Sequence, residues 1–187
     1  MNEIQTACPD WQVSQWFNTP NPLAPNQLRG EVILLHFFQM LCPGCVAHAL
    51  PQAQSVHQAY SDSGIRVVGI HSVFEHHEAM TPVALAAFIH EYRLTFPIGV
   101  DQAVPGDPIP LTMRRYQLRG TPSTVLIDRT GQIRKHVFGR IEDLNLGIAL
   151  GQLLTKNHSS LKRSETGRKH LRNPAECDDT ACPTDSA

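Results

Sequence analysis

Residues 32–48 read VILLHFFQMLCPGCVAH. Val32 to Phe38 form an apolar run of strand length, bounded by Gly30 and Pro43, which is the pattern of a strand buried on both faces. His36 is its one ionisable member. Beyond it stand Cys42 and Cys45, and then Val46, Ala49, Leu50, Ala53, Val56 and Tyr60 recur at helical spacing. Pro51 inside that pattern should kink the helix or leave one carbonyl free. A cysteine pair in this setting has three meanings: a redox couple, two metal ligands, or two inert thiols.

Working outward, Ile65 to Ser72 is a second strand, and Thr81-Pro82 opens a helix with an N-cap oxygen followed by a proline that has no amide to lose. Phe96 to Val100 is a short strand, Met113 to Leu118 a short helix, and Ser123 to Asp128 with Ile133 to Phe138 a hairpin across RTGQ. Leu146, Leu150 and Leu153 or Leu154 stripe a closing helix over 141–155. The order β-α-β-α-β-α-β-β-α predicts an α/β sheet with helices on its faces. Three units follow: an irregular N-terminal extension over 1–30, proline-rich near its end; the α/β domain over 31–156; and a tail over 157–187 with opposed charge blocks, expected to be disordered, which carries Cys177 and Cys182.

The 187 residues suffice for one full core, and the net charge of -1 provides no basic field to gather nucleic acid. No apolar run approaches the roughly 20 residues of a membrane span, and the first residues, with Glu3 among them, lack the apolar core of a signal peptide. A cytoplasmic location is the expectation. Five cysteines, an odd number, suit a reducing compartment, where a close pair is more often catalytic or metal-binding than structural.

A strand running into Cys42, with a helix starting beside it, places that sulfur among unpaired amides that favour the reactive thiolate. Cys45, three residues on, is placed to attack a mixed disulfide formed at Cys42. Pro43 gives up an amide that needs no partner there, and Gly44 permits close approach of another chain. A zinc site would need further ligands, and the other pair, Cys177 and Cys182, is more widely spaced. The loop HSVFEHHE, His71 to Glu78, offers three histidines and two glutamates to a metal, although a plain polar loop explains them too.

Gly120 to Thr124, GTPST, precedes the hairpin. With VILLHFF, CPGC and the proline-bearing helix, it makes the chain from about Trp16 to Thr155 resemble the thioredoxin fold, and more closely its TlpA-like, redoxin-type (AhpC/TSA-like) branch. The resemblance implies a central mixed sheet with helices on both faces. It also implies a cis Pro122 facing the cysteine pair, and a Thr121 whose backbone receives the substrate strand. The substrate would be a protein or small-molecule disulfide or thiol, and the chemistry would need a redox partner but no bound cofactor or metal. Leu41 stands where thioredoxins have tryptophan, and Pro43-Gly44 reverses their dipeptide, which leaves open whether the pair donates or takes electrons. His36 occupies the position of the family's buried aspartate and is a candidate to take the Cys45 proton, being expected to titrate near neutrality. His48 lies near a glutamate position of some relatives and is a second candidate for tuning the thiols. For either ring the alternative is a plain structural one: a hydrogen-bonded core histidine at 36, a solvated helix residue at 48.

Two other functions are weighed on the same residues, and both fit them less well. A peroxiredoxin-like thiol peroxidase would carry Pro-x3-Thr-x2-Cys, but His36 and Gln39 or Met40 stand near those places. A copper-delivery protein would use Cys42, Cys45 and a histidine. Cys177 and Cys182 could form a relay disulfide opened by the CPGC pair, and Cys8 reads as a surface thiol.

Overall fold

The computed structural model describes residues 6–165. Seven strands form one sheet: β1 (Thr6–Ala7), β2 (Val13–Phe17), β3 (Val32–Phe38), β4 (Ile65–His71), β5 (Ile98–Asp101), β6 (Ser123–Ile127) and β7 (Gln132–Phe138), in the order β1-β7-β6-β3-β4-β5-β2. Strand β3 is central, parallel to β4 and antiparallel to β6, with Leu35 opposite both Val68 and Val125. Its residues are all buried and alternate between two cores, as its side-chain period of two requires.

Val32, Leu34 and Phe38 face a core closed by three helices, α1 (Leu50–Tyr60), α2 (Pro82–Glu91) and α4 (Asp143–Glu165), through Leu50 and Ala53, Leu85 and Ile89, and Leu146, Leu150 and Leu153. Ile33, Leu35 and Phe37 face a second core with Trp11, Leu28 and Tyr116, the last of these directly after α3 (Leu111–Arg115). The mixed sheet covered on both faces is therefore as the sequence implies.

Residues 6–30 are more than an irregular approach. They supply both sheet edges, β1 against β7 and β2 against β5, and they cover the second core with Trp11 and Leu28. The Trp11 indole N–H donates to the Tyr116 hydroxyl (2.9 Å), and the Asn18 amide donates to the carbonyls of Leu94 (2.7 Å) and Phe96 (3.0 Å). Edge strands that are largely solvent-facing carry no apolar run, so VSQWF has no strand signature of its own. Of the tail over 157–187, expected to be disordered, residues 157–165 belong to α4, and the rest, with Cys177 and Cys182, lies outside the described residues. α4 itself runs past the expected Thr155 to Glu165.

The local signals act as elementary chemistry dictates. The Thr81 hydroxyl accepts from the Ala84 amide (3.2 Å) at the start of α2. Asp128 Oδ1 accepts from the amides of Thr130 (2.9 Å) and Gln132 (3.0 Å), closing the turn between β6 and β7, in which Gly131 takes φ 76°. Gly69 sits in the middle of the sheet, where a Cβ would stand 2.9 Å from the Phe96 ring and 3.3 Å from Ile98 and Phe38. Gly69→Ala should cost about 1–3 kcal/mol in urea unfolding, because the packed rings on either side have nowhere to go. An unchanged midpoint would show that this core yields freely.

Candidate active site

The chain leaves β3 at Phe38 and reaches Cys42 in four residues, so the rigid central strand fixes where the first sulfur stands. The Cys42 carbonyl accepts from the amides of Cys45 (3.0 Å) and Val46 (3.1 Å), which starts the helical turn. Residues Cys45–Ala49 then form a π turn, in which the Leu50 amide reaches back to the Cys45 carbonyl, before α1 begins. Pro51 has no amide to give the preceding turn, and a widened turn accommodates its ring. The expected kink is realised in this form.

The two sulfurs are thiols 2.6 Å apart. Cys42 is half-buried and Cys45 is fully buried. The Cys45 amide donates to the Cys42 sulfur (3.3 Å), an interaction that gains strength as that sulfur becomes negative. Burial first, and then the hydrogen bond to Cys42, push the Cys45 thiol up to about 12, while the Gln39 backbone amide and the Thr121 hydroxyl pull the other way. The pair is thus unequal: one sulfur that solvent reaches, and one that is buried and holds its proton more tightly than a free thiol.

The Thr121-Pro122 peptide is cis, and the Thr121 carbonyl lies 3.6 Å from the Cys42 sulfur as its acceptor. The Gly139 amide donates to the Pro122 carbonyl (2.8 Å), and the Ser123 hydroxyl donates to the Gly120 carbonyl (2.7 Å), so this segment is tied to β7 on one side and to itself on the other. Pro43 is exposed. Gly44 faces the Pro122 ring, and a Cβ there would meet it at 3.5 Å, an ordinary contact, so packing within the chain does not require glycine at this place.

The histidines separate. His36 is buried, with Nδ1 3.3 Å from the Thr124 hydroxyl and Nε2 without a partner among the described residues, and it makes no hydrogen bond to either sulfur. Burial lowers it to about 4, so it is a neutral imidazole at neutral pH and does not titrate near neutrality as its position in the sequence implied. His48 is exposed and lines a groove of about 740 Å³ between α1 and α4 with Gln52, Arg140 and Gly147. It too makes no hydrogen bond to a sulfur.

His71 is not a loop residue. It ends β4, is buried, accepts from the Met40 amide through Nε2 (3.4 Å), and is also lowered to about 4 by burial. Glu75, His76, His77 and Glu78 are exposed, and no three His, Cys, Asp or Glu side chains converge on one point among the described residues. Cys8 is half-buried rather than a surface thiol. Its sulfur lies 2.7 Å from the Tyr116 hydroxyl, and burial raises it to about 11.

The neutral His36 and His71 make the fold sensitive to acid. Their folded values lie below the ordinary 6.5, so the unfolded chain binds protons first. Stability is full above about 6.5 and falls as the pH drops toward 4. Each ring should remove about 2–3 kcal/mol between pH 7 and pH 4.5. Urea unfolding of the protein and of His71→Gln at both pH values checks this: the variant should lose about 2–3 kcal/mol less over the interval, and equal losses would exclude His71 as a cause.

Gln39 and Thr121 are the site groups that spacing alone hardly signals as partners of Cys45, because one acts through its backbone and the other arrives from 76 residues further along the chain. The polar Gln39, wedged between an apolar strand and the cysteines, is the sequence's one hint of the first.

The family model described as the AhpC/TSA family matches residues 4–136. A crystal structure of a thioredoxin-like superfamily protein is 51% identical, covering 80% of this chain and 97% of that one, with a TM-score of 0.78. A thiol-disulfide isomerase from Corynebacterium glutamicum is 48% identical, covering 80% and 96%, with a TM-score of 0.77. Among curated relatives, DipZ of Mycobacterium bovis is 33% identical over 129 residues, 68% of this chain and 17% of that protein. The thiol-disulfide oxidoreductase ResA of Halalkalibacterium halodurans is 26% identical over 120 residues, 63% of this chain and 60% of that protein. The chain thus spans less than two thirds of the length of either.

Proposed function

We propose, since this chain belongs to the AhpC/TSA family, that it is a thiol-disulfide oxidoreductase whose working pair is the CPGC couple of Cys42 and Cys45. The observation that carries the reading is the unequal sulfur pair at the end of β3, one accessible and one buried, 2.6 Å apart and beside the cis Thr121-Pro122 peptide. The names of ResA and of the Corynebacterium glutamicum isomerase support the reaction class.

In the reductive direction the Cys42 thiolate attacks one sulfur of a substrate disulfide. The Cys42-to-substrate bond forms, the substrate bond breaks, and one substrate thiolate leaves. Cys45 then gives up its proton and attacks the Cys42 sulfur, which releases the second substrate thiolate and leaves the Cys42–Cys45 disulfide. Two electrons have passed from protein to substrate, and a dithiol reductant restores the pair. The Gln39 amide and the Thr121 hydroxyl stabilise the Cys45 thiolate at the moment it forms. Thr121 lends its backbone to the substrate chain, while Pro43 and Gly44 present the turn to it. His36 and His48 hydrogen-bond to neither sulfur, so they are not assigned a proton-transfer role.

With excess dithiothreitol as electron source, the chain should accelerate reduction of a peptide disulfide well beyond dithiothreitol alone. Peroxide consumption under the same conditions that outpaced disulfide reduction would replace this reading with a peroxidase. Stoichiometric Cu(I) retained after dialysis and lost in Cys42→Ser would replace it with metal delivery. We further place the reaction in the cytoplasm, on the odd cysteine count alone.

A further inference from the structure

A second, shallow pocket of about 250 Å³ is lined by Gln117, Arg119, His136 and Phe138. It is rich in donors. The Arg119 guanidinium lies over the Phe138 ring at 5.4 Å and forms no ion pair among the described residues. Burial and then the nearby Arg119 charge hold His136 below the usual histidine range. No carboxylate lines the pocket.

Its position relative to the chemistry is set by the backbone. Arg119 precedes Thr121 by two residues, so their Cα atoms are at most about 7 Å apart, and the Thr121 carbonyl stands 3.6 Å from the Cys42 sulfur. Phe138 is wedged onto Gly120, where a Cβ would stand 3.0 Å from its ring. With the Gly139 amide bonded to the Pro122 carbonyl, the wall of the pocket and the rim of the active site form one tied unit. For a polypeptide bonded through its cysteine to Cys42 and extended past Thr121 and Gly120, the next residue along this segment is Arg119.

We propose that this pocket is a specificity subsite for an acidic side chain of a polypeptide substrate, with Arg119 and Gln117 donating to its carboxylate and Phe138 covering its methylenes. The inference rests on the redox reading above. Arg119 is its central residue, because a guanidinium presents a planar set of donors matched to a carboxylate.

The test uses peptide disulfides that differ only by Glu or Gln at one position, scanned along both sides of the cysteine, with kcat/KM measured for each. At low salt the Glu peptide should be preferred about tenfold when the acid stands close to the cysteine on one side, and the preference should shrink at high salt. Within Arg119→Gln the Glu-to-Gln ratio should fall to about one, and Arg119→Lys should keep part of it. Because each ratio is taken within one variant, a general loss of activity or folding cannot imitate the result. A ratio near one at every position in the unaltered protein, or a ratio that survives Arg119→Gln, overturns the subsite and leaves the cysteine chemistry standing. Peptide turnover that survives Cys42→Ser overturns the chemistry itself.

Discussion

Replacing Cys42 by serine should lower turnover of a peptide disulfide by at least about a thousandfold. A hydroxyl at that place is almost wholly protonated at neutral pH and is a poor nucleophile toward sulfur, so the first bond does not form. Among the described residues no neighbour substitutes for it. Cys45 is fully buried beneath the turn, and Cys8, though half-buried, is held against the Tyr116 hydroxyl at 2.7 Å, on the side of the sheet that Tyr116 and Trp11 cover. Serine differs from cysteine by one atom, and circular dichroism of the variant should match that of the unaltered protein. The kinetic measurement is the rate of peptide disulfide loss with dithiothreitol in excess. Activity within about tenfold of the unaltered protein would remove Cys42 from the centre of the reaction.

The second large effect separates capture from resolution. Cys45→Ser leaves the attacking sulfur in place and removes the group that releases the substrate, so the mixed disulfide should accumulate as one substrate adduct per chain at Cys42. Steady turnover should fall by about a hundredfold or more, the remainder coming from added thiol that attacks the adduct from solution. Intact-protein mass spectrometry reads the adduct directly, and peptide mapping places it. Full turnover with no adduct would mean that Cys42 works alone, as in a one-cysteine mechanism, and that the closeness of the two sulfurs is incidental. Cys45→Ala provides a second variant in which no hydroxyl can hydrogen-bond to Cys42, and it should trap the same adduct.

The central parts of the fold are legible because they rest on short-range signals. VILLHFF is apolar on both faces and becomes the middle strand with the bounds its pattern gives. Thr81-Pro82 starts a helix by the chemistry of its own two side chains, and Pro51 disturbs the helix it lies in, as a π turn ahead of α1. What the sequence conceals is pairing over distance. β1 and β2 are held by neighbours more than 80 residues away, and their own residues are polar or half-exposed, so nothing local distinguishes them from loop.

The site divides along the same line. Cys42 and Cys45 are neighbours in the chain, and their roles follow from a strand before and a helix after. Thr121 and Pro122 are readable only through resemblance, because nothing in GTPST taken alone says that its carbonyl faces a sulfur from position 42. The histidines are the clearest case of burial overriding residue type. A histidine buried without a charged partner titrates well below neutrality, and burial is what lowers both His36 and His71.

The central claim is that one dithiol couple, Cys42 with Cys45, carries the electrons. It is tested most directly by equilibrating the full chain across a graded series of dithiol buffers, quenching by alkylation, and mapping every cysteine by mass spectrometry. The expected result is a single two-electron transition, about 30 mV per tenfold change in ratio, in which the Cys42–Cys45 crosslink appears in step with the loss of alkylation at both residues. Independent oxidation of the two cysteines, or a first-formed crosslink that joins either of them to Cys8, Cys177 or Cys182 instead, would contradict it.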